Sequence, residues 1–458
     1  MSSLYSSLSV ATGALQAEQG AMDATTNNVA NVNTPGFSRQ RPVLVESDPV
    51  VVGSVTYGTG VALEKLESLR DPILQLRIQE EMQQQGQLNA SVTALQQAQA
   101  QFTTSNNDIG TEISNFFSSL QQLSTDPANL ALRQGVLTAA GNMSTAFNNT
   151  ADALTAQQSN LDLNVTQDVQ QINVLTAQIA TLNNQISQLQ GVKQDASALV
   201  DQRDVLIGQL SALVDVSTIQ SDNGLTLTTA NGTALVVGGQ SFALSTQTNA
   251  SGLQDVYAQG TNITANLTSG DLEGVLQVRD QTIPGLLANL DTLAAGLSNA
   301  LNSADQQGFD LNGNAGGNLF VAPPASGQGA AASMAVAITD PSLIAASSDG
   351  SPGSNGNLAA LSAVQSQPLA GGQTPTDYYS NLVFAVGNDV ANSSAELNSS
   401  QLILNQLQDQ RGSISGVSLD EEASNMVQYQ RAFDAAAQVV TTINDMLYTV
   451  INMGTLTA

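Results

Sequence analysis

Apolar side chains return at alternating steps of four and three residues through both ends of this chain. From Leu419 the track runs through Ala423, Met426, Gln430, Phe433, Ala437, Val440, Asn444 and Leu447 to Ile451. A repeat of 3.5 residues keeps one seam facing a neighbour as two helices supercoil, so the pattern predicts a coiled-coil helix over the last forty residues. At the other end Leu4, Leu8, Ala11, Leu15, Glu18, Met22, Thr25 and Val29 form a weaker seam, the natural partner. Neither segment carries enough apolar surface to offset the entropy of its own ordering. Residues 1–36 and 419–458 are therefore expected to form one terminal assembly domain, weakly ordered in the isolated monomer and completed by pairing or by another molecule.

Between the ends the period changes several times. The run from Asn27 to Phe37 reads as a helix stop and a sharp turn, because Asn tolerates helix ends, Pro35 biases Thr34 away from helix, and Pro35-Gly36 suits the centre of a type II turn. Residues 42–63 read as β, punctuated by Gly53, Gly58 and Gly60. Helix is expected to return at Glu64, break at Gly86, and give a shorter amphipathic helix from Ile109 to Leu123. The longest periodic element passes from Leu137 through Phe147, Leu161, Ile172 and Ile186 to Leu189. Unbroken, it is a rod of about 80 Å at ~1.5 Å per residue.

After Gly191 a further helix is expected through Leu199 and Leu213, and period-two alternation with turns at Asp222-Asn223-Gly224 and Asn231-Gly232 then predicts a β domain over 216–269. Helix resumes from Ile283 to Leu301. Residues 309–373, rich in Gly, Pro, Ala and Ser, read as exposed outer loops. A last internal helix runs from Tyr379 to Leu407 and breaks near Arg411-Gly412-Ser413. The fold class is mainly α with an inserted β domain, in discontinuous elongated domains. The helical rod domain combines 37–215, 270–308 and 374–418.

With 11 Lys plus Arg against 38 Asp plus Glu, the net charge of −27 repels phosphate backbones and anionic lipid, which argues against nucleic acid or membrane as partners. No basic and apolar leader opens the chain, so export, if any, is expected to need no cleaved signal. The absence of His and Cys removes imidazole and thiolate chemistry, disulfides and the usual zinc sites. No isolated carboxylate pair nominates a glycosidase, and no catalytic, cofactor or metal residues are expected. Asp310, Asn312 and Asn314 imitate the start of a calcium loop, but Ala315 and Val321 stand where its Gly and Glu belong, so a polar turn is expected there.

Asn27-Asn28-Val29-Ala30-Asn31-Val32-Asn33-Thr34-Pro35-Gly36-Phe37 resembles the N-terminal signature of bacterial flagellar rod and hook proteins, with Phe37 for the usual Tyr. Gln430-Arg431-Ala432-Phe433 with Ala437-Gln438-Val439 resembles their C-terminal signature. Three internal stretches, Leu199-Val200-Asp201-Gln202-Arg203-Asp204, Gly308-Phe309-Asp310-Leu311 and Ser415-Gly416-Val417-Ser418-Leu419-Asp420-Glu421-Glu422, are similar to the hook-associated family that joins hook to filament.

The resemblance implies a non-enzymatic subunit, exported unfolded from the cytoplasm by the flagellar type III route and assembled outside the cell as a homo-oligomeric ring at the hook tip. It implies as partners the hook protein, a second junction protein on the filament side, and an export chaperone on the C-terminal helix. Its expected assembly residues are Leu4, Leu8, Leu15, Met22, Val29, Asn31, Thr34, Pro35, Gly36 and Phe37 with Leu419, Met426, Phe433, Val440, Leu447 and Ile451. A hook or distal rod protein, or a leaderless secreted coiled-coil tip or effector protein, are the alternatives. The first usually lacks the long rod and the second would not be expected to carry both terminal signatures.

Overall fold

The computed structural model describes residues 2–52, 55–103, 108–221 and 224–455. The expected turn residues Gly53, Asp222 and Asn223 lie outside them. Helix α1 (Ser2–Ala30) is followed by strands β1 (Gln40–Glu46), β2 (Val50–Val52), β3 (Val55–Tyr57) and β4 (Val61–Ser68), then by helices α2 (Pro72–Thr103), α3 (Ile109–Leu123), α4 (Leu130–Gly191) and α5 (Ser197–Leu213). Strands β5 (Ser217–Ser221), β6 (Gly224–Thr228), β7 (Ala234–Val237), β8 (Gln240–Ser241), β9 (Leu244–Thr248), β10 (Gln254–Ala258) and β11 (Thr261–Asn262) come next. Helices α6 (Asp271–Gln277), α7 (Ile283–Asp305), α8 (Gly356–Ala363), α9 (Pro375–Ser415) and α10 (Leu419–Thr455) complete the order. The protein is mainly helical, with small antiparallel sheets.

Three boundaries differ from expectation. Glu64 belongs to β4, which pairs with β1 from Gln40 opposite Ser68 to Glu46 opposite Val61. Helix begins only at Pro72, because Asp71 caps it by accepting from the Ile73 and Leu74 N–H groups, and Pro suits the first helical position. α2 then passes through Gly86 unbroken, since a single Gly costs only about 1 kcal/mol in a helix whose other residues favour it. α9 likewise continues through Gly412 and stops at Ser415, where the Gly416 N–H closes back on the Gly412 carbonyl.

The chain forms two compact discontinuous units, with the division falling inside α2, α4 and α9 rather than at the expected domain limits. The first comprises Met1–Gln83, Ile172–Ala243 and Gln401–Ala458, and the second Gln84–Gln171 and Leu244–Ser400. The β region at 216–269 is accordingly not one domain. The sheet β5-β6-β7-β8 belongs to the first unit and the sheet β11-β10-β9 to the second. Leu225, Leu227, Leu235 and Val236 are buried in the first, and Leu244, Val256 and Ala258 in the second.

The second unit also corrects the reading of 309–373 as exposed loops. Leu319, Phe320, Ala331, Ile344, Ala345, Ala346 and Leu361 are fully buried there, and the Phe320 ring meets Phe116 edge-on at 5.9 Å. Irregular backbone can be buried only if its N–H and C=O groups find partners, and polar side chains supply them. Asn302 of α7 bonds both the N–H and the carbonyl of Phe320, Asp291 accepts from Gly329 and Ala331, and buried Arg133 of α4 donates to the carbonyls of Pro127, Pro341, Ser342 and Ile344. Asp310 accepts from the Asn312 and Asn314 N–H groups, both at 2.8 Å, which is the polar turn expected of that stretch.

The same unit holds a hydrogen-bonded carboxyl pair, Asp168 of α4 and Asp271 at the start of α6. Burial, reinforced by the neighbouring Asp271 carboxylate, pushes Asp168 up to about 7, and burial raises Asp271 as well. Between the ordinary carboxylate value of 3.8 and about 7 the folded chain holds a proton that the unfolded chain does not. Its contribution to stability is therefore fully present below 3.8 and is lost progressively as pH rises to about 7. Asp168→Asn is expected to raise the melting temperature at pH 8 by a few degrees and to flatten its slope between pH 5 and 8, measured by differential scanning calorimetry.

Candidate functional site: the terminal helix pair and its anchor

α1 packs along α10 within the first unit. Asn28 near the end of α1 donates to Glu422 at the start of α10, and Glu18, earlier in α1, acts on Tyr429, later in α10, so the helices run antiparallel. The Tyr429 phenol is raised by burial first and by the Glu18 and Glu422 carboxylates second. Along α10 the covered stripe is Glu422, Met426, Tyr429, Phe433, Ala436, Val440, Ile443 and Leu447, again in steps of four and three. Four of the six expected C-terminal residues, Met426, Phe433, Val440 and Leu447, lie on it, half-buried, whereas Leu419 and Ile451 are exposed. Glu422 and Ile443, absent from the expected residues, are the ones fully buried.

α1 shows the same shift. Leu4, Leu8, Leu15, Met22 and Val29 are half-buried, and the fully covered positions are the small ones, Ala11, Ala17, Ala21, Ala24 and Thr25, together with Asn28. The reason is that α1 has two neighbours, α10 and the β1–β4 hairpin. Gly20 lets β4 approach so closely that a Cβ added there would strike the Leu63 side chain. A helix covered on two sides buries what lies between its flanks, and here those residues are mostly alanine.

The turn after α1 is tied to four other segments. Asn31 donates to the Asn27 carbonyl and accepts from the Thr34 hydroxyl, and the Phe37 N–H closes on the Thr34 carbonyl. Gly36 sits at φ +81°, left-handed, beside Val205 of α5, a position closed to any residue with a Cβ. Thr34 and Pro35 are exposed, and Asn31, Gly36 and Phe37 are half-buried. Directly after the turn, Ser38 donates through both its N–H and its hydroxyl to Asp201 of α5, which also receives Arg70 at 2.9 Å. Arg411 of α9 donates to the Gly36 carbonyl, and the Arg39 N–H donates to the Ser415 carbonyl.

The Arg39 guanidinium bridges Glu421 and Glu422, reaching Glu422 at 2.7 Å, while Asn28 closes a reciprocal pair with the Gln40 backbone and donates to Glu422 at 3.1 Å. Burying a carboxylate is costly unless its charge is paired and its lone pairs are filled. Glu422 meets both conditions only when α1, β1 and α10 are all in register. None of Asn28, Arg39, Asp201, Arg411 or Glu422 is among the residues expected for assembly. Their signal in the sequence is that Asp201 and Glu422 stand inside the internal motifs, Asp201 just before Arg203-Asp204 and Glu422 at the end of Asp420-Glu421-Glu422.

The site positions helices through hydrogen bonds and ion pairs. Among the described residues no group of three Asp, Glu, His or Cys side chains could hold a metal ion, and no helix is long and apolar enough to cross a membrane.

Residues 8–37 match the family described as flagella basal body rod protein, and residues 410–453 the C-terminal part of the flagellar basal body rod FlgEFG protein family. Residues 95–320 match the helical domain of flagellar hook-associated protein FlgK. Flagellar hook-associated protein 1 of Bacillus subtilis is 30% identical over 500 residues, covering 99% of each chain. This chain belongs to the flagellar hook-associated protein 1 family. The Escherichia coli member is 28% identical over 99% of this chain and all of its own length. The structure of the flagellar hook junction protein FlgK from Burkholderia pseudomallei shares the fold, with a TM-score of 0.67 at 18% identity, over 74% of this chain and all of that one. The chain is thus a structural component of the bacterial flagellum, at the junction between hook and filament.

Proposed function

We propose that this subunit assembles through α1 and α10 with further copies of itself into a ring at the hook tip. The hook protein stands on one side of that ring and a second junction protein on the other. The observation that carries the reading is on α10: with α1 in place, it still exposes Val427, Val439, Met446 and Val450, the last three at i, i+7 and i+11 on one face. An apolar helical face left open beside a formed pair fits further helices of the same kind, and ordering of the termini is completed when they meet. Before export the chain is cytoplasmic, and the same face of the C-terminal helix is where an export chaperone binds. After unfolded export by the type III route the ring is extracellular, and its role is mechanical rather than catalytic.

Deleting the gene in the source bacterium tests this. Hooks without filaments and free flagellin in the medium are the expected result by electron microscopy and immunoblot. Flagella of normal length would sink the reading.

A further inference from the structure

The two terminal helices are short of positive charge. α1 carries the carboxylates Glu18 and Asp23 with no Lys or Arg, and α10 carries five carboxylates against one cation, Arg431. The side chains of the pair therefore sum to −6. Like charges set side by side repel, so a contact between copies of this pair is favoured electrostatically only where it includes Arg431. Arg431 is exposed, and among the described residues it makes no hydrogen bond or ion pair, not even with Asp434 three positions on. At ~100° per residue it lies with Ser424, Val427, Gln438 and Thr442 on the side of α10 turned away from α1.

α1 presents a matching surface. Its exposed positions recur at steps of four and three from Tyr5 through Gln16 to Asp23 and Ala30, and Asp23 is the one charge on that stripe. Asp23 too is without a partner among the described residues. Thr12 and Thr26 of the stripe already donate to the Leu8 and Met22 carbonyls one turn back, so covering them strands neither hydroxyl. The contact of Asn28 with Glu422 sets the level of the two charges. Counting from it, Asp23 stands level with Val427, and Arg431 lies one turn further, about 6 Å along the axis. The two charges do not meet within one copy; a neighbour laid beside the pair with a shift of that size brings them together.

We propose that the outer face of α10 in one copy packs on the outer stripe of α1 in the next, with Arg431 paired to Asp23. The contact continues the packing that each copy already has between its own α1 and α10, so the two helices alternate along the row. It uses two different surfaces of one chain, which leaves every copy an open α1 and an open α10 for its two neighbours, as a closed ring requires. Two α10 faces set back to back would use one surface twice, bring −4 against −4 and stop at a dimer. The inference rests on the reading that copies assemble through these helices, and it adds which faces meet and in what register.

Charge reversal tests it, because both residues are exposed and neither substitution removes a packed side chain. Cells lacking the gene receive the unmodified chain, Arg431→Asp, Asp23→Arg or both changes together, and flagellin on the cells and in the medium is measured by immunoblot. Each single change is expected to raise the shed fraction at least fivefold, and the double change to return it to within twofold of the unmodified chain. Restoration by the double change cannot come from two misfolded chains. Unchanged shedding in either single variant would overturn the pairing, and so would a double variant no better than the singles, which would assign Arg431 to the hook protein or the second junction protein. Rescue of Arg431→Asp by Asp434→Arg would also overturn it, in favour of α10 meeting α10. All three results leave the ring reading standing. If cells without the gene shed no more flagellin than cells with it, the ring reading fails and the pairing with it.

Discussion

Ile443→Asp is expected to separate α10 from α1 and to leave hooks without filaments. Ile443 is 6% exposed, in the middle of the stripe that α10 turns toward α1. A carboxylate there meets no Lys or Arg on the facing α1, which has none, and burying such an unpaired charge costs about 3 to 5 kcal/mol. Amide exchange should become fast through α1 and α10 while the second unit, which contains neither helix, keeps its protection. Val440→Asp, half-buried on the same stripe, should do less to the pair. Val439→Asp, on the open face, should leave the pair intact and still impair filament attachment, because it charges the surface proposed to meet other subunits. If Ile443→Asp cells carry filaments of normal length, the helix pair is not what holds the junction together.

Glu422→Ala should be nearly as damaging by a different route. The substitution leaves Arg39, with 20% of its side chain exposed, only the largely solvated Glu421 as counter-ion. It also strips Asn28, buried beside the Gln40 backbone, of one acceptor. Losing one partner of a buried pair costs about 3 kcal/mol or more. The helices remain apolar enough to associate, but their register is no longer specified. The expected signature is therefore retained helicity by circular dichroism, faster exchange at 416–425, and a sharp fall in motility on soft agar. Glu422→Gln keeps an acceptor for Asn28 and should fall between the two. Equal motility of Glu422→Ala and the unmodified chain would mean that the hub is dispensable.

Much of the architecture is readable from spacing alone. The long α4, the amphipathic α3, the period-two region after Val216 and the terminal helices all follow from where apolar residues recur, since helix and strand each place every side chain at a fixed angle from the last. Errors gathered where a local signal was weaker than a distant contact. Gly86 and Gly412 look like breaks, yet neighbouring turns hold both helices together. Residues 309–373 look like solvent-facing loops because they contain Gly, Pro and Ser. Their burial depends on Asn302 and Asp291 of the preceding helix α7 and on Arg133 of the distant α4, which accept or donate where a strand partner would have done.

The candidate site divides the same way. Periodicity determined that the two ends form helices with partners, and the motif residues determined the turn at Thr34 to Phe37. Which residues of those helices are buried was decided by tertiary structure. α1 is covered on two sides, by α10 and by β4, and a heptad track read from one sequence describes only one side. Hence alanines rather than leucines fill its covered face, and Ile443 rather than Leu419 or Ile451 anchors α10. The Asn28–Arg39–Glu422 network spans almost the full length of the chain. Its stability comes from three segments sharing one buried charge, and sequence spacing carries no information about a charge shared across that distance.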